Sequence, residues 1–341
     1  MLEVSILAQG VTLDDVARKS GVSRATASRA LNNRDGVRDE VRERVRIVAE
    51  QLGYRPNRAA QNLAGGRASI IGLLVGEREI VTRPYTVALV QEITKAAERQ
   101  NHALILIMDA DDPNEAVRKL LGDQLVDGVI VSVIAAYSEW VEQLVSAALP
   151  AVIVGSHSTD LDVSTVDVEN KEASASVVGH LLDTGCVRVA TITGPLHRVD
   201  AAQRLEGYRL AHNRRSLPVD ESRIFVGDYS PQRGYLLAEQ LVAGGADAVF
   251  CGNDNTARGV YRWAVDHGLL IPTQLSIAGF DGTAADQFNG FSLTSAAQPF
   301  REMADTAVEL LIDQISGSAS AETRLLDPQL VYGTTTRRMA D

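Results

Sequence analysis

From Ala68 onward the chain alternates short apolar runs with longer amphipathic stretches, and it does so in two successive sets. The first set predicts strands over Ser69–Val75, His102–Met108, Gly128–Ile134 and Pro150–Gly155; the second predicts them over Val187–Thr193, Ile224–Phe225, Ala248–Gly252 and Leu275–Phe280. Near-continuous apolar runs of this length suit strands buried on both faces, as in a parallel sheet. Helical periodicity fills the intervals, over 87–100, 114–121, 139–147, 171–184, 201–212, 232–243, 255–267 and 301–315. Strand-helix-strand repetition on this scale predicts a doubly wound α/β body, and its appearance twice predicts two subdomains.

The first 67 residues read differently. In TLDDVARKSGVSRATASRALNN (Thr12–Asn33), Leu13, Val16 and Ala17 recur at helical spacing, and Gly21 offers a residue that tolerates positive φ. Val22 is an apolar plug, and Ser23 is a good cap for a second helix. Thr26, Ala27, Ala30 and Leu31 line an inward face, which leaves Arg24, Ala25, Ser28, Arg29 and Asn32 outside. A short helix with a small-residue core and an outer face of Arg, Ser and Asn fits a DNA major groove. A third helix is predicted over Arg38–Leu52, with Val41, Val45, Val48 and Leu52 on one stripe and Asp39 an incomplete substitute for a missing cap.

The formal charge of −11 runs against DNA binding until it is divided. Residues 1–67 hold 12 Lys and Arg against 8 Asp and Glu, whereas the rest hold 21 against 36. A basic head on an acidic body binds phosphate at one end and repels it elsewhere. Cys186 and Cys251 lie far apart without metal spacing and read as buried apolar residues of a reducing compartment. No apolar run is long enough to span a bilayer, and no signal-like segment opens the chain, so a cytoplasmic, nucleoid-associated location without membrane contact is expected. No GxGxxG follows a first strand, no GxxxxGK[ST] or GxSxG occurs, and the six histidines are scattered. Neither enzyme chemistry nor a cofactor or metal is expected.

The order D-V-A-x-x-x-G-V-S-x-x-T-x-S-R-x-L-N resembles the helix-turn-helix of the lactose-repressor (LacI/GalR) family of transcription regulators, and the resemblance extends over nearly all of the chain. It implies a small all-α helix-turn-helix head (1–56), a hinge helix and linker (57–67), and a periplasmic-binding-protein-like α/β body of two doubly wound parallel-sheet subdomains (68–341). Lobe one is placed at 69–168 plus 297–326 and lobe two at 169–296 plus 327–341. The expected function is repression from a pseudo-palindromic operator, as a homodimer, under control of a small effector such as a sugar in the interlobe cleft. A transport-type solute-binding protein is the alternative, and the basic head opposes it.

By resemblance, Arg24 and Ala25 are the main base-reading pair and Arg29 a further base contact. Thr12, Ser23, Thr26, Ser28 and Asn32 set register on phosphates or cap helices. Asn57 opens the hinge helix, and Leu63 is its minor-groove wedge. In the cleft, Arg204 matches G-P-x(8)-R-x-x-G-[YF], Asn253 stands in the N-D position, Asp281 in G-[FY]-D, and Tyr229 where relatives stack an aromatic on a sugar. Asp254 reads as the cap of the helix that follows, and bridging of acidic neighbours is the lesser alternative for Arg204. This set suits a neutral polyol, while Glu77, Arg78 and Arg83 in the loop Gly76–Pro84 could favour an acidic ligand; effector identity stays open.

Overall fold

The computed structural model describes residues 11–31, 35–54, 69–76, 84–109, 125–132, 144, 146–156, 162–283, 290, 292–318 and 320–338. The chain divides into two compact units, Met1–Ala68 and Ser69–Asp341.

The first unit contains α1 (Leu13–Ser20), α2 (Arg24–Leu31) and α3 (Asp39–Leu52). A capping box starts α1: the Asp15 amide donates to Thr12 Oγ1, and Asp15 Oδ2 accepts from the Thr12 amide at 3.0 Å. Gly21 ends the helix in the left-handed conformation, φ 68°. Ser23 then caps α2 by accepting from the Thr26 amide at 3.1 Å. Val16, Ala17, Ala27, Ala30, Val45, Val48 and Ala49 form the core, with Val22, Val41 and Leu52 packed on it. Alanines on α2 let short helices approach closely, which supplies the burial an eight-residue helix needs to persist. The third helix begins one residue later than its predicted start, and its cap residue, Arg38, makes no side-chain cap bond. Arg38→Ser should therefore stabilise the head by ~0.5–1 kcal/mol, read as a higher midpoint for its own calorimetric transition. An unchanged midpoint would mean that the α3 amides are already satisfied.

The second unit contains two six-stranded sheets. We number its strands β1 (Ile70–Gly76), β2 (Ala103–Asp109), β3 (Gly128–Ser132), β4 (Ala151–Val154), β5 (Ser164–Val168), β6 (Val189–Thr193), β7 (Ile224–Val226), β8 (Ala248–Cys251), β9 (Ser276–Asp281), β10 (Thr294–Ala297), β11 (Thr323–Leu326) and β12 (Gln329–Val331). Its described helices are α4 (Pro84–Arg99), α5 (Asn170–Asp183), α6 (Val199–Arg214), α7 (Pro231–Ala243), α8 (Asp254–Asp266) and α9 (Phe300–Ser316). The first sheet runs β11-β5-β4-β3-β1-β2, all parallel; the second runs β12-β10-β9-β8-β6-β7, with only the β10–β12 pair antiparallel. The chain passes between the sheets three times: after β5, after β10 and after β11. The helices expected over 114–121 and 139–147 fall largely outside the described residues.

Three strands lack the apolar runs used to predict the others. β5 reads Ser-Thr-Val-Asp-Val yet is buried throughout, because side-chain bonds replace apolar packing. Gln314 Nε2 donates to Ser164 Oγ at 2.6 Å, and Thr165 Oγ1 donates to Thr323 Oγ1 at 3.0 Å. β10 is built of small residues, and in β11 only Leu326 is even partly buried.

Candidate functional site

In an open parallel sheet the crevice lies beyond the carboxyl ends of the strands. Both sheets of the body turn these ends toward one cleft, partly open to solvent. Gly155 follows β4 and Asp167 lies in β5; Asn253 lies just past β8, Asp281 ends β9, and Gln298 follows β10. Arg198, Asp200 and Arg204 enter from the start of α6, and Tyr85 from the start of α4.

Arg204 is the centre of this cleft. It is 7% exposed, donates from Nε to Asn170 Oδ1 at 2.9 Å and from Nη1 to the Gly252 carbonyl at 2.6 Å, and lies 3.8 Å over the Phe280 ring. Its Nη1 stands 3.7 Å from Asp281 Oδ1. Arg204 thus lines the cleft and stands beside an acid. Asp281 accepts from Gln298 Nε2 at 2.8 Å and holds φ at 117°, a conformation that costs a non-glycine residue ~1–3 kcal/mol. The surrounding bonds hold it there: the Thr283 amide donates to Asp254 Oδ2 at 2.7 Å, and the Gly282 amide to Ser295 Oγ at 3.2 Å.

The helix expected to be capped by Asp254 is capped instead by Asn253, whose Oδ1 accepts from the Thr256 amide at 2.9 Å. Asn253 Nδ2 donates to the Tyr229 carbonyl at 3.3 Å, so both ends of this cleft-lining amide have partners within the protein. Asp254 turns away to Thr283 and Ser295. The reason is the extended backbone of Asn253 (φ −156°), the geometry of a cap residue.

Tyr229 is 3% exposed, and its hydroxyl donates to Asp200 Oδ2 at 2.9 Å. Its ring packs on Gly194, where a Cβ would stand 2.1 Å from the ring, so only glycine fits there. Arg198 donates to Asp200 Oδ1 at 2.9 Å, and its guanidinium lies 5.5 Å from the Tyr229 centroid. Asp167, Arg198, Asp200, Tyr85 and Gln298 were not anticipated. Asp200 had a readable signal, since it precedes Arg204 by four residues on one helix and so shares its face.

Among the described residues the lining carries two guanidinium groups and three carboxylates. Burial alone would raise the Asp200 pKa, but Arg204 and Arg198 outweigh it and hold the group below the usual range. Burial pushes Asp281 up to about 8, Arg204 opposing and Asp254 adding to the rise; burial also pushes Asp254 up to about 6 against bonds from Ser295 and Thr283. An acid whose pKa is higher folded than unfolded binds its proton more tightly in the fold. Its contribution to stability therefore falls as pH rises from the unfolded value, 3.8, toward about 8. Asp281→Asn should remove this dependence, so its unfolding midpoint should gain on the wild type's between pH 5 and pH 8. A constant difference would show that Asp281 does not titrate there.

On the head, Arg24, Ala25 and Arg29 are exposed on α2 and Ser28 is half-buried. The hydroxyls of Thr12, Ser23 and Thr26 bond within the head: Thr12 to Asp15 at 2.6 Å, and Ser23 with Thr26 at 2.8 Å. Asn32, Asn57 and Leu63 lie outside the described residues.

Residues 12–57 match the model of bacterial regulatory proteins of the lacI family, and residues 178–336 match that of a periplasmic binding protein-like domain. The chain is 32% identical over 307 residues to catabolite control protein A of Priestia megaterium, covering 88% of this chain and 91% of that protein. It belongs to the lacI family. Two solved structures show the same fold over most of the chain. The lac repressor dimer bound to operator and the anti-inducer ONPF superposes with TM-score 0.80 at 27% identity, covering 97% of this chain and 100% of that one. The transcriptional regulator CelR-cellobiose complex gives 0.73 at 28%, covering 95% and 99%. The lacI-family assignment makes the protein a transcriptional regulator with an effector-binding domain, and its relatives are regulators, not enzymes. No helix among the described residues is long and apolar enough to cross a membrane.

Proposed function

We propose that the protein is a homodimeric repressor that reads a pseudo-palindromic operator with its heads and releases or tightens on it when a small uncharged sugar or related polyol occupies the body cleft. The observation that carries this reading is the buried Arg204–Asp281 pair at the strand ends of the cleft, flanked by Tyr229 and Asn253. Together they offer donors and acceptors for paired hydroxyls beside an aromatic residue. A phosphorylated ligand would set its charge beside the Asp200 carboxylate, which Arg198 and Arg204 already neutralise, where screening is weak. CelR has been solved with cellobiose, which supports a sugar here.

In the head, Arg24, Ala25 and Arg29 meet base edges, while Thr12, Ser23, Thr26, Ser28 and Asn32 cap helices or fix phosphates. Asn57 and Leu63 belong to a hinge over 57–67, joining the head at 1–56 to the body at 68–341. The lac repressor was solved as a dimer on its operator, and a groove between α7 and α8 supports dimerisation here. It is lined by Tyr235, Leu236, Tyr261 and Val265, and Leu236 is 62% exposed. A second copy would cover this surface.

Thermal unfolding against neutral sugars, their phosphates, nucleosides and purines tests the cleft. A neutral sugar at ~100 times its dissociation constant should add about 2.7 kcal/mol, and Asp281→Asn should abolish the shift. Shifts with phosphorylated compounds alone would contradict the assignment. For the head, Arg24→Ala should cost ~1–3 kcal/mol at one half-site base, whereas equal loss on every sequence would reduce Arg24 to a phosphate contact.

A further inference from the structure

One pairing in the head is required neither by its core nor by its caps. Arg24, the first residue of α2, lies with Nε 3.7 Å from Oδ1 of Asp14 in the first turn of α1. Both side chains are largely exposed, at 71% and 57%. Burial raises the pKa of Tyr54, just beyond α3, and the charge of Arg24 opposes that rise. The neighbouring acid, Asp15, is already occupied by the Thr12 capping box and by Arg18 at 3.0 Å. Asp14 has no capping duty of that kind.

In water an exposed pair of this kind contributes little to stability, because solvent screens it and two long side chains must be ordered to form it. Against a duplex the balance changes, since a groove wall displaces water and strengthens the attraction. A guanidinium has two edges that can grip two acceptors, the Nε side and the Nη1–Nη2 end. Guanine offers two acceptors, O6 and N7, and needs one such edge held in plane.

We propose that Asp14 is a specificity-determining residue for DNA: it holds Arg24 from the Nε side and presents the Nη1–Nη2 edge to a guanine. The inference rests on Arg24 reading a base, as in the function proposed above. A fixed fork pays less ordering entropy on the correct base than a free one, while at a wrong base it cannot easily swing to a phosphate instead. The carboxylate also repels the phosphates of any sequence, which lowers non-specific binding. Asp14 thus sharpens the ratio of specific to non-specific affinity and adds little to the total.

The test uses the full chain. Operators are selected from a randomised duplex library with the wild type. Affinities are then titrated for the wild type, Arg24→Ala, Asp14→Asn and Asp14→Glu on the consensus and on duplexes changed at each half-site position. Arg24→Ala should lose its preference at one G·C pair. Asp14→Asn should lose preference at that same pair by at least ~3-fold, with affinity for random DNA equal or higher and the head's unfolding midpoint unchanged. Asp14→Glu should keep most of the preference. Wild-type preference at that pair in Asp14→Asn, or equal loss at every position, overturns the proposal. If Arg24→Ala leaves all base preferences intact, base reading by Arg24 has failed, and the role of Asp14 fails with it.

Discussion

Arg204→Ala should destabilise the body by ~3–5 kcal/mol and abolish its response to ligand, because Asp200 and Asp281 would be left buried without the cation that faces both. The lost group is more than one partner of a pair. Its guanidinium covers the Phe280 ring, holds the Gly252 carbonyl at the end of β8, and fixes Asn170, where the chain enters the second subdomain. Asp281 would stay buried beside Asp254 with Gln298 as its neutral donor. The acid should then take up a proton more readily, so the penalty should be largest at alkaline pH and smaller at acidic pH. Adding Asp281→Asn to Arg204→Ala should restore part of the loss, since the carboxylate then needs no cation. Calorimetry of the body transition measures all three. A loss below ~1 kcal/mol, or no recovery in the double variant, would show that the pair is solvated and not buried in the working protein.

Gly259→Ala should also destabilise the body, by ~1–3 kcal/mol or more, although helix propensity alone would have it stabilise α8 by ~0.5–1 kcal/mol. The sign is decided by the neighbour. A Cβ at Gly259 would stand 1.9 Å from the Pro231 carbonyl oxygen and 2.8 Å from the Tyr235 amide, both backbone atoms of α7. Gly234 on α7 returns the contact, where a Cβ would stand 2.3 Å from the Thr256 carbonyl oxygen. Two helices in backbone contact cannot yield through a side-chain rotamer, so α8 itself must move. Its first residues adjoin Asn253 and Asp254, so the displacement should reach the cleft and weaken ligand binding as well as lower the midpoint. An unchanged midpoint for Gly259→Ala would mean that α7 and α8 are less closely packed.

The parts of this molecule legible in its sequence are those whose physics is local. Apolar runs such as Ile70–Gly76 must be buried, and Gly21, Ser23 and the small face of α2 specify a tight helical pair. β5 was hidden because Ser164 and Thr165 are made tolerable in the interior by partners 150 and 158 residues away, Gln314 and Thr323. The exchange of roles between Asn253 and Asp254 was hidden for the same reason. Either side chain can cap a helix; the extended backbone of Asn253 aims it at the Thr256 amide, while Thr283 and Ser295, which the fold brings to Asp254, hold that residue away. Arg204, Tyr229, Asn253 and Asp281 do converge on one cleft. The shell that fixes them, Asn170, Asp200 and Gln298, follows from tertiary contact alone, apart from the four-residue step between Asp200 and Arg204.

Occupancy of the cleft should be linked to affinity for DNA. The decisive measurement titrates the full chain onto a selected operator duplex, with and without a saturating amount of the sugar that raises its unfolding temperature. Linkage is reciprocal, so a real coupling must appear both ways. The sugar should change operator affinity by ~5–150-fold, operator should change sugar affinity by the same factor, and Asp281→Asn should leave operator affinity near wild type and unresponsive. Equal operator affinity with and without bound sugar would mean that the cleft does not control DNA binding, because a ligand with the same affinity for two states shifts neither.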